Sequence, residues 1–397
     1  MLFFLIVIIV FALMYGYIGW RIIVPAAFSL PVNIILWGLL VIFLILPFFT
    51  HIARYFGFEG GWVDVLAWIG YLSFGFLTLL FALLVTRDLI LIITLGAQKI
   101  YHIISNLGSS TSTIAETADP VRRRFIMNSL NAALVIAAGG LTGYGLFEAL
   151  RRPRIVEVNL PIEGLPKDLD GFTIAQITDI HVSHTLRRPF VQTVVDMVND
   201  LQPDLVALTG DLVDGNVAEL GDDVAPLADL KAPYGAYFIT GNHEYYSGVE
   251  QWLKEIPRLG FKVLINEHRL IERGEGRLLL AGVTDFTGGS FRADHISDPH
   301  RALAGAPESH AKILLAHQPK SIFEAAKAGF DYVISGHTHG GQYFPYHFLA
   351  ALAQPYISGL HEHGNTRIYV SNGTGYWGPQ LRIGARSEIT LHRLVST

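Results

Sequence analysis

The residues able to do chemistry lie in five short segments of the second half of the chain. They are Asp179-Ile180-His181, Gly210-Asp211, Gly241-Asn242-His243, a lone His317 and Gly336-His337-Thr338-His339. Each follows an apolar run that reads as a buried strand. Ligands in open α/β folds gather there, at the carboxyl ends of strands. Together the segments supply two Asp, one Asn and four His, with His243 besides. Hydrolysing a phosphate ester near neutral pH needs a strong nucleophile and neutralised oxygen charge. Two divalent ions roughly 3.5–4 Å apart provide both, through a bridging hydroxide and a clamp on the phosphoryl oxygens. Such a pair needs one bridging carboxylate, further N/O ligands on each ion and open positions. No Cys occurs, so thiolate sites are excluded. Mixed imidazole and carboxylate ligation suits transition ions rather than Ca or Mg. Two ions drawn from Mn, Fe and Zn, with Mn favoured, are expected.

The spacing has a physical reason. In Asp179-x-His181 and His337-x-His339, alternate residues at a strand end point the same way, so each pair is expected to converge on one site. Gly210, Gly241 and Gly336 permit tight turns and close backbone approach beside the ligands.

The ordered set D-x-H, GD, GNH, H and GHxHGG resembles the calcineurin-like metallophosphoesterase superfamily. Within it, the chain is similar to the bacterial membrane-associated branch. The surrounding words also match: Ile177-Thr178-Asp179-Ile180-His181, Gly210-Asp211-Leu212-Val213-Asp214-Gly215, Gly241-Asn242-His243-Glu244-Tyr245 and Gly373-Thr374-Gly375-Tyr376-Trp377-Gly378-Pro379. The resemblance covers about residues 155 to 395. It implies that Asp179, His181 and His339 hold a first metal and that Asn242, His317 and His337 hold a second. Asp211 would bridge them. His243 would stay unligated as the general acid or transition-state stabiliser, helped by Asp214 or Glu244. In this branch the Gly373–Gly384 loop borders the substrate pocket, so Tyr376, Trp377 and Arg382 become substrate candidates. His184 and His347 join them by nearness to the metal motifs. The other histidines match no ligand motif.

These side chains must be carried by a folded half. From Arg151 the composition turns globular, and strand-like runs alternate with helical ones. Strands are predicted at 173–178, 204–209, 235–240, 262–265, 277–283, 312–316, 331–335, 367–371 and 387–393. Helices are predicted at 189–201, 217–230, 249–258 and 319–328. Leu160–Pro166 reads as a lead-in loop or short edge strand. The alternation gives an α/β domain over 151–397. The resemblance implies two mixed sheets packed face to face, flanked by helices.

The first 150 residues are of another kind. The whole chain of 397 residues has a mean hydropathy of +0.39. Four apolar stretches are long enough to cross a bilayer, which takes about 20 residues: about 1–23, 31–50, 62–95 and 126–149. An all-α transmembrane domain over 1–150 is therefore expected. The third stretch is too long for one straight span. It is expected to tilt, protrude or break near Arg87-Asp88, with a fifth element possible at about 89–104. The preferred place for that ion pair is the membrane boundary, since charge facing lipid is costly. The first 150 residues also read as lacking buried charge clusters, which argues against a transporter. Residues 105–120 are rich in Ser and Thr and read as a polar linker.

Arg122-Arg123-Arg124-Phe125 before the fourth stretch resembles a twin-arginine export signal, and serves equally as a positive-inside anchor. Arg151, Arg152 and Arg154 follow the stretch and nearly balance it. The expected arrangement is a multi-pass protein of the cytoplasmic membrane with its catalytic domain outside. Residues 151–397 carry 22 Lys/Arg against 28 Asp/Glu, which argues against a nucleic-acid backbone binder.

The function expected is a membrane-anchored dinuclear-metal phosphoesterase acting through a metal-bridging hydroxide. Its partners would be the lipid bilayer and a phosphoester substrate, a lipid-linked one among those expected. One alternative is a UDP-2,3-diacylglucosamine-type lipid-sugar pyrophosphatase with a cytoplasmic active site. Another is a non-catalytic metallophosphoesterase-fold binding module or scaffold.

Overall fold

The computed structural model describes residues 2–55, 60–106 and 119–397. The polar linker expected at 105–120 lies mostly outside the described residues. The chain divides into two compact units, Met1–Tyr144 and Gly145–Thr397.

The first unit is built on four helices, α1 (Leu2–Ala26), α2 (Leu30–Tyr55), α3 (Gly61–Asn106) and α4 (Pro120–Leu150). All four are long and apolar enough to cross a membrane. α1 and α2 are antiparallel: Phe11 packs on Phe48, and the Tyr15 hydroxyl donates to the Phe43 carbonyl. α3 returns alongside α1, pairing Phe11 with Phe74 and Tyr17 with Phe81. α4 reverses again. Its Asn131 amide donates to the Arg21 carbonyl at 2.9 Å, and Asn128 reaches the Pro25 carbonyl at 3.4 Å.

One of the alternatives for the third stretch, a break, is not found, and one expectation needs correction. α3 does not break at Arg87-Asp88. It runs 46 residues without interruption, roughly 69 Å at 1.5 Å per residue. No Pro or Gly pair stands there to kink it. Charge is also not absent from the helices. Asp88 accepts from the Tyr17 hydroxyl at 2.5 Å, from Arg21 at 2.6 Å and from Arg87 at 2.9 Å. Arg87 is buried and also donates to the Asn131 side-chain oxygen. One carboxylate thus ties α1 to α3, and Arg87 carries the tie on to α4.

Asp88→Ala would leave two guanidinium groups with no anion between them. The expected loss is on the order of 3 kcal/mol, as for other broken buried pairs. It would be read as earlier unfolding of the full chain in detergent, with Asp88→Glu keeping most of the stability. An unchanged midpoint for Asp88→Ala would refute the tie.

The second unit has twelve strands. β1 (Arg154–Ile162), β2 (Thr173–Ile177), β3 (Leu205–Leu208), β4 (Ala236–Phe238), β5 (Phe261–Val263) and β12 (Glu388–Ser396) form one sheet in the order β1-β12-β2-β3-β4-β5. β6 (Glu267–Arg273), β7 (Gly276–Gly282), β8 (Ala311–Leu315), β9 (Tyr332–Ser335), β10 (Gly359–His363) and β11 (Thr366–Val370) form the other, ordered β10-β11-β9-β8-β7-β6. Both are mixed. β2 to β5 run parallel, as do β7, β8, β9 and β11. β12 lies antiparallel to β2, β6 to β7 and β10 to β11.

Period-two alternation splits each strand between two cores. Ile174, Leu205, Ala207 and Tyr237 face Leu278, Leu280, Ile313 and Ile334 across the sandwich. The alternate residues Ala175, Ile177, Val206, Leu208 and Phe238 turn outward. They meet Val191, Val194, Val195 and Val198 of α5 (Arg188–Asp200), a stripe at helical spacing. α6 (Val217–Val224) and Trp252 of α8 (Val249–Glu255) extend that layer. The short α7 (Asn242–Tyr246) lies between them in the chain. On the other sheet, Leu314 and Val333 pack on Ile322 and Ala325 of α10 (Ile322–Ala328). α9 (Pro299–Ala302) and α11 (Tyr346–Ala353) complete the helices.

Several expected boundaries shift for local reasons. The helix expected over 217–230 stops at Val224, because Pro226 lacks the donor a further turn needs, and a 3-10 turn follows. Pro257 likewise confines helix 249–258 to α8, and the helix expected over 319–328 opens with a 3-10 turn at Pro319–Ser321 before α10. The segment at Leu160 belongs to β1. This strand sits at the sheet edge, where Pro161 is tolerated.

Candidate metal centre

The first ligand segments follow parallel strands and lie at their carboxyl ends. Asp179 and His181 come after β2, Asp211 after β3, Asn242 and His243 after β4, His317 after β8, and His337 and His339 after β9. The side chains form three groups whose ligand atoms lie within 4.8 Å of one another: Asp179, His181 and His339; His181, Asp211 and His243; and Asp211, His317 and His337. His181 and Asp211 each belong to two groups, so the three make one continuous cluster. Asp211 Oδ2 is 3.0 Å from His317 Nε2 and 3.8 Å from His181 Nε2. His339 Nε2 is 3.4 Å from Asp179 Oδ1.

The cause of this convergence differs from the expected one. Asp179, His181, Asp211, His337 and His339 all have positive φ, between 52° and 73°. These residues have left the strand pleat, so alternation does not aim them. Each sits in a left-handed turn, a conformation seldom adopted outside Gly, Asn, Asp and His. His337 and His339 consequently part, one to each end of the cluster. Strain of this kind is found where surrounding structure over-determines it. Here glycine removes the obstruction. A Cβ on Gly241 would overlap the Asp211 carboxylate, and one on Gly336 would overlap that of Asp179.

Backbone and hydroxyl donors hold the carboxylates. The Thr178 hydroxyl donates to Asp179 at 2.7 Å, and the His337 N–H does so at 3.0 Å. The His243 N–H donates to Asp211 Oδ1 at 2.9 Å. Glu244 does not touch the His243 ring. It accepts from the N–H groups of Asp211, Leu212 and Gly241, pinning the turn after β3 to the turn after β4. Asp214 is the group on the imidazoles: its Oδ1 lies 2.5 Å from His243 Nδ1 and 3.1 Å from His181 Nδ1.

The electrostatics suit cations. Asp179, Asp211, Glu244 and Asp285 are all buried. Burial raises Asp179, which keeps a carboxyl above its ordinary range despite nearby imidazoles. Burial opposes Asp211 too, but His317 and His243 outweigh it and hold that carboxyl well below the usual range. Burial, reinforced by His317, pulls the His337 imidazole down to about 3. Burial with His181 and Arg382 likewise holds His339 well below ordinary histidine. Both rings are thus neutral, with lone pairs available for a metal.

Two further observations fit the same group. The Nε2 atoms of His181 and His339 are 3.0 Å apart, a contact between two basic nitrogens. The Asn242 side-chain oxygen is buried with no hydrogen-bond partner. A divalent cation satisfies an orphan oxygen and facing nitrogens together.

The substrate candidates are placed unequally. Trp377 is exposed, its ring 5.7 Å from that of His243. Tyr376 is buried and donates to the Thr185 carbonyl. Arg382 is buried as well. Its guanidinium serves the carbonyls of Gly375 and Ala385 and lies 3.2 Å from His339 Nδ1. His184 is half-buried beside Arg187, and His347 stands at the start of α11.

Asp285 escaped the sequence reading. It follows β7, and burial raises its carboxyl. It accepts from Gln318, the neighbour of His317, at 3.0 Å. Its signal was the one used elsewhere, an Asp just past an apolar run, without a flanking Gly.

A family profile described as calcineurin-like phosphoesterase matches residues 172–341. The chain is 38% identical over 301 residues to a "transmembrane protein with metallophosphoesterase domain" from Danio rerio, covering 73% of this chain and 68% of that protein. It is 40% identical over 278 residues to an "uncharacterized metallophosphoesterase" from Helicobacter pylori (strain J99), covering 70% and 73%. It is 31% identical over 291 residues to the "uncharacterized metallophosphoesterase YkuE" of Bacillus subtilis, covering 70% and 98%.

Proposed function

This chain belongs to the calcineurin-like metallophosphoesterase family, and from that premise we propose that its cluster takes two divalent cations and hydrolyses a phosphoester at a membrane. Membership makes it a metal-dependent phosphoester hydrolase. The dinuclear reading rests on one observation above all: Asp211 is shared between two ligand groups. One ion would be held by Asp179, His181 and His339, the other by His317, His337 and the orphan oxygen of Asn242, with Asp211 common to both. Such ions supply charge neutralisation and an activated water at neutral pH.

The chain's own groups do the rest. Asp214 orients His243 through Nδ1, which leaves Nε2 facing the cluster 4.0 Å from Asp211 Oδ2. From there Nε2 can give a proton to the departing oxygen. Trp377 closes the outer side of that ring. Metal-stripped full-length protein refilled with Mn, Fe or Zn should regain turnover of aryl phosphate mono- or diesters, with Mn favoured. Stoichiometric binding of all three ions without turnover of any ester would overturn the reading.

Association with a membrane is supported by the four apolar helices and by relatives described as transmembrane proteins. We propose a multi-pass arrangement with an extracytoplasmic catalytic unit, a reading supported by where positive charge lies along the apolar helices. Arg21 and Arg87 meet near the carboxyl end of α1, and Lys99 lies farther along α3 from that point. Arg122–Arg124 open α4, which runs antiparallel to α1 and so begins at that end. Arg151, Arg152 and Arg154 after α4 belong to the opposite end. The larger share of positive charge therefore gathers at the end of the helices where α4 begins, which supports a cytoplasmic face there.

Glu308 is exposed and the chain has no native Cys. Glu308→Cys should react with a membrane-impermeant maleimide in intact spheroplasts. Reaction only after lysis would put the site in the cytoplasm and reverse the arrangement.

A further inference from the structure

We infer that α11 and the Trp377 loop form a surface seated in the bilayer, and that the substrate is a membrane lipid whose phosphoester enters the cluster from that interface. This rests on the phosphoesterase reading and adds the substrate's class and its route.

α11 is an anomaly for a helix in water. Its sequence is Tyr-His-Phe-Leu-Ala-Ala-Leu-Ala, without a charge, and none of its residues is buried. Phe348 and Leu349 are exposed, and Leu352 is 86% exposed. Phe344 just before the helix is exposed too. A contiguous apolar surface of this kind on a soluble domain marks an interaction site. The helix is also fixed in place. It begins five residues after Gly341 of the last ligand segment, and a Cβ on Gly341 would strike the His347 backbone. Beside it opens a groove of about 550 Å³ lined by Phe286, Lys320, Phe323, Leu352 and Pro355 among others. Lys320 is the charged group there, suited to a lipid phosphate at the edge of an apolar trough.

The bilayer is the occupant because the chain delivers the site to it. The last residues of α4, a helix long and apolar enough to span a membrane, belong to the second unit from Gly145 onward. The Gly145 carbonyl accepts from the Arg382 N–H at 2.9 Å, and Ala149 clusters with Leu186 and Tyr376. The loop that carries Trp377 beside His243 is therefore pinned to the end of that helix. Gln342 links this loop back toward α11: its side chain donates to the Trp377 carbonyl at 2.9 Å and accepts from the Trp377 N–H at 3.0 Å. Only Arg151–Pro153 separate α4 from β1. Exposed Trp, Phe and Leu at such a junction are the residues that settle into the headgroup–acyl boundary.

The test uses the full chain in lipid nanodiscs. Leu352→Cys carries an environment-sensitive fluorophore, and the nanodisc holds lipids spin-labelled on the acyl chain. The control is Glu308→Cys, before β8 and so at the sheet end opposite the ligands. Quenching at position 352 should exceed that at 308 several-fold. Equal weak quenching overturns the inference, including the case where a second copy or a protein covers α11 instead.

A second arm compares the wild type with Leu349→Asp/Leu352→Asp. Hydrolysis of bis(p-nitrophenyl) phosphate should stay within about twofold, while cleavage of phosphatidic acid or CDP-diacylglycerol in vesicles should fall at least tenfold. Equal lipid cleavage by both, or none by the wild type, overturns it. A wild type inert on the aryl ester as well would refute the phosphoesterase reading itself, which the quenching result does not touch.

Discussion

Asp211→Asn is expected to release at least one divalent ion per chain and to lower turnover by at least about 10²-fold. The lower bound comes from groups that merely orient metal ligands, whose loss already costs 10–100-fold. Asp211 does more than that. Its Oδ2 lies 3.0 Å from His317 and 3.8 Å from His181, so one oxygen serves both ends of the cluster. Its other oxygen accepts the His243 N–H. An amide keeps the shape but offers one neutral acceptor where two cations need a shared anion. Metal content per chain after desalting, measured by mass spectrometry, separates this from a folding defect. Two retained ions with normal turnover would remove Asp211 from the bridging position. Loss of metal with an unchanged circular dichroism spectrum is the expected outcome, because the strands that carry the ligands do not depend on them.

Much of this centre was legible in the chain because ligand segments are local. A Gly-Asp or Gly-Asn-His after an apolar run states both its chemistry and its place at a strand end. β2, β3 and β7 to β9 could be read for the same reason: they are short, apolar and bounded by turn residues. What could not be read was anything fixed by distant pairing. β1 becomes a strand by lying along β12, which is more than two hundred residues away in the chain. Arg382 read as a substrate contact, yet it supports the Gly373–Gly384 loop from beneath, since only the fold shows which carbonyls surround it. Arg87-Asp88 read as a pair for the membrane boundary, with a break of α3 there as one alternative. Their partners Tyr17, Arg21 and Asn131 come from two other helices, and no window of α3 alone contains them. The left-handed turns at five ligand positions are likewise set by the cluster they build and not by local preference.

His243→Ala should leave the metal content intact and cut turnover by about 10²–10⁴-fold, the range for general acid–base groups. His243 belongs to one ligand group, but its Nε2 stands 4.0 Å from Asp211 Oδ2, the longest of that carboxylate's histidine contacts. Its Nδ1 is engaged by Asp214 at 2.5 Å. Burial opposes a charged ring, but Asp211 and Asp214 outweigh it and raise the imidazole to about 9. Cations held in the cluster would push the other way. A ring protonated at neutral pH can donate from Nε2, so activity should fall along the alkaline limb of the pH profile as pH rises through the ring's own pKa. That limb should vanish in the alanine variant.

Leaving groups distinguish the two roles open to this histidine. A p-nitrophenolate departs without help, so its ester should lose little. An alkoxide needs the proton, so alkyl phosphates should carry nearly the whole defect. Equal losses on both would assign His243 to electrostatic stabilisation of the phosphoryl oxygens alone, since that service is owed to every ester alike.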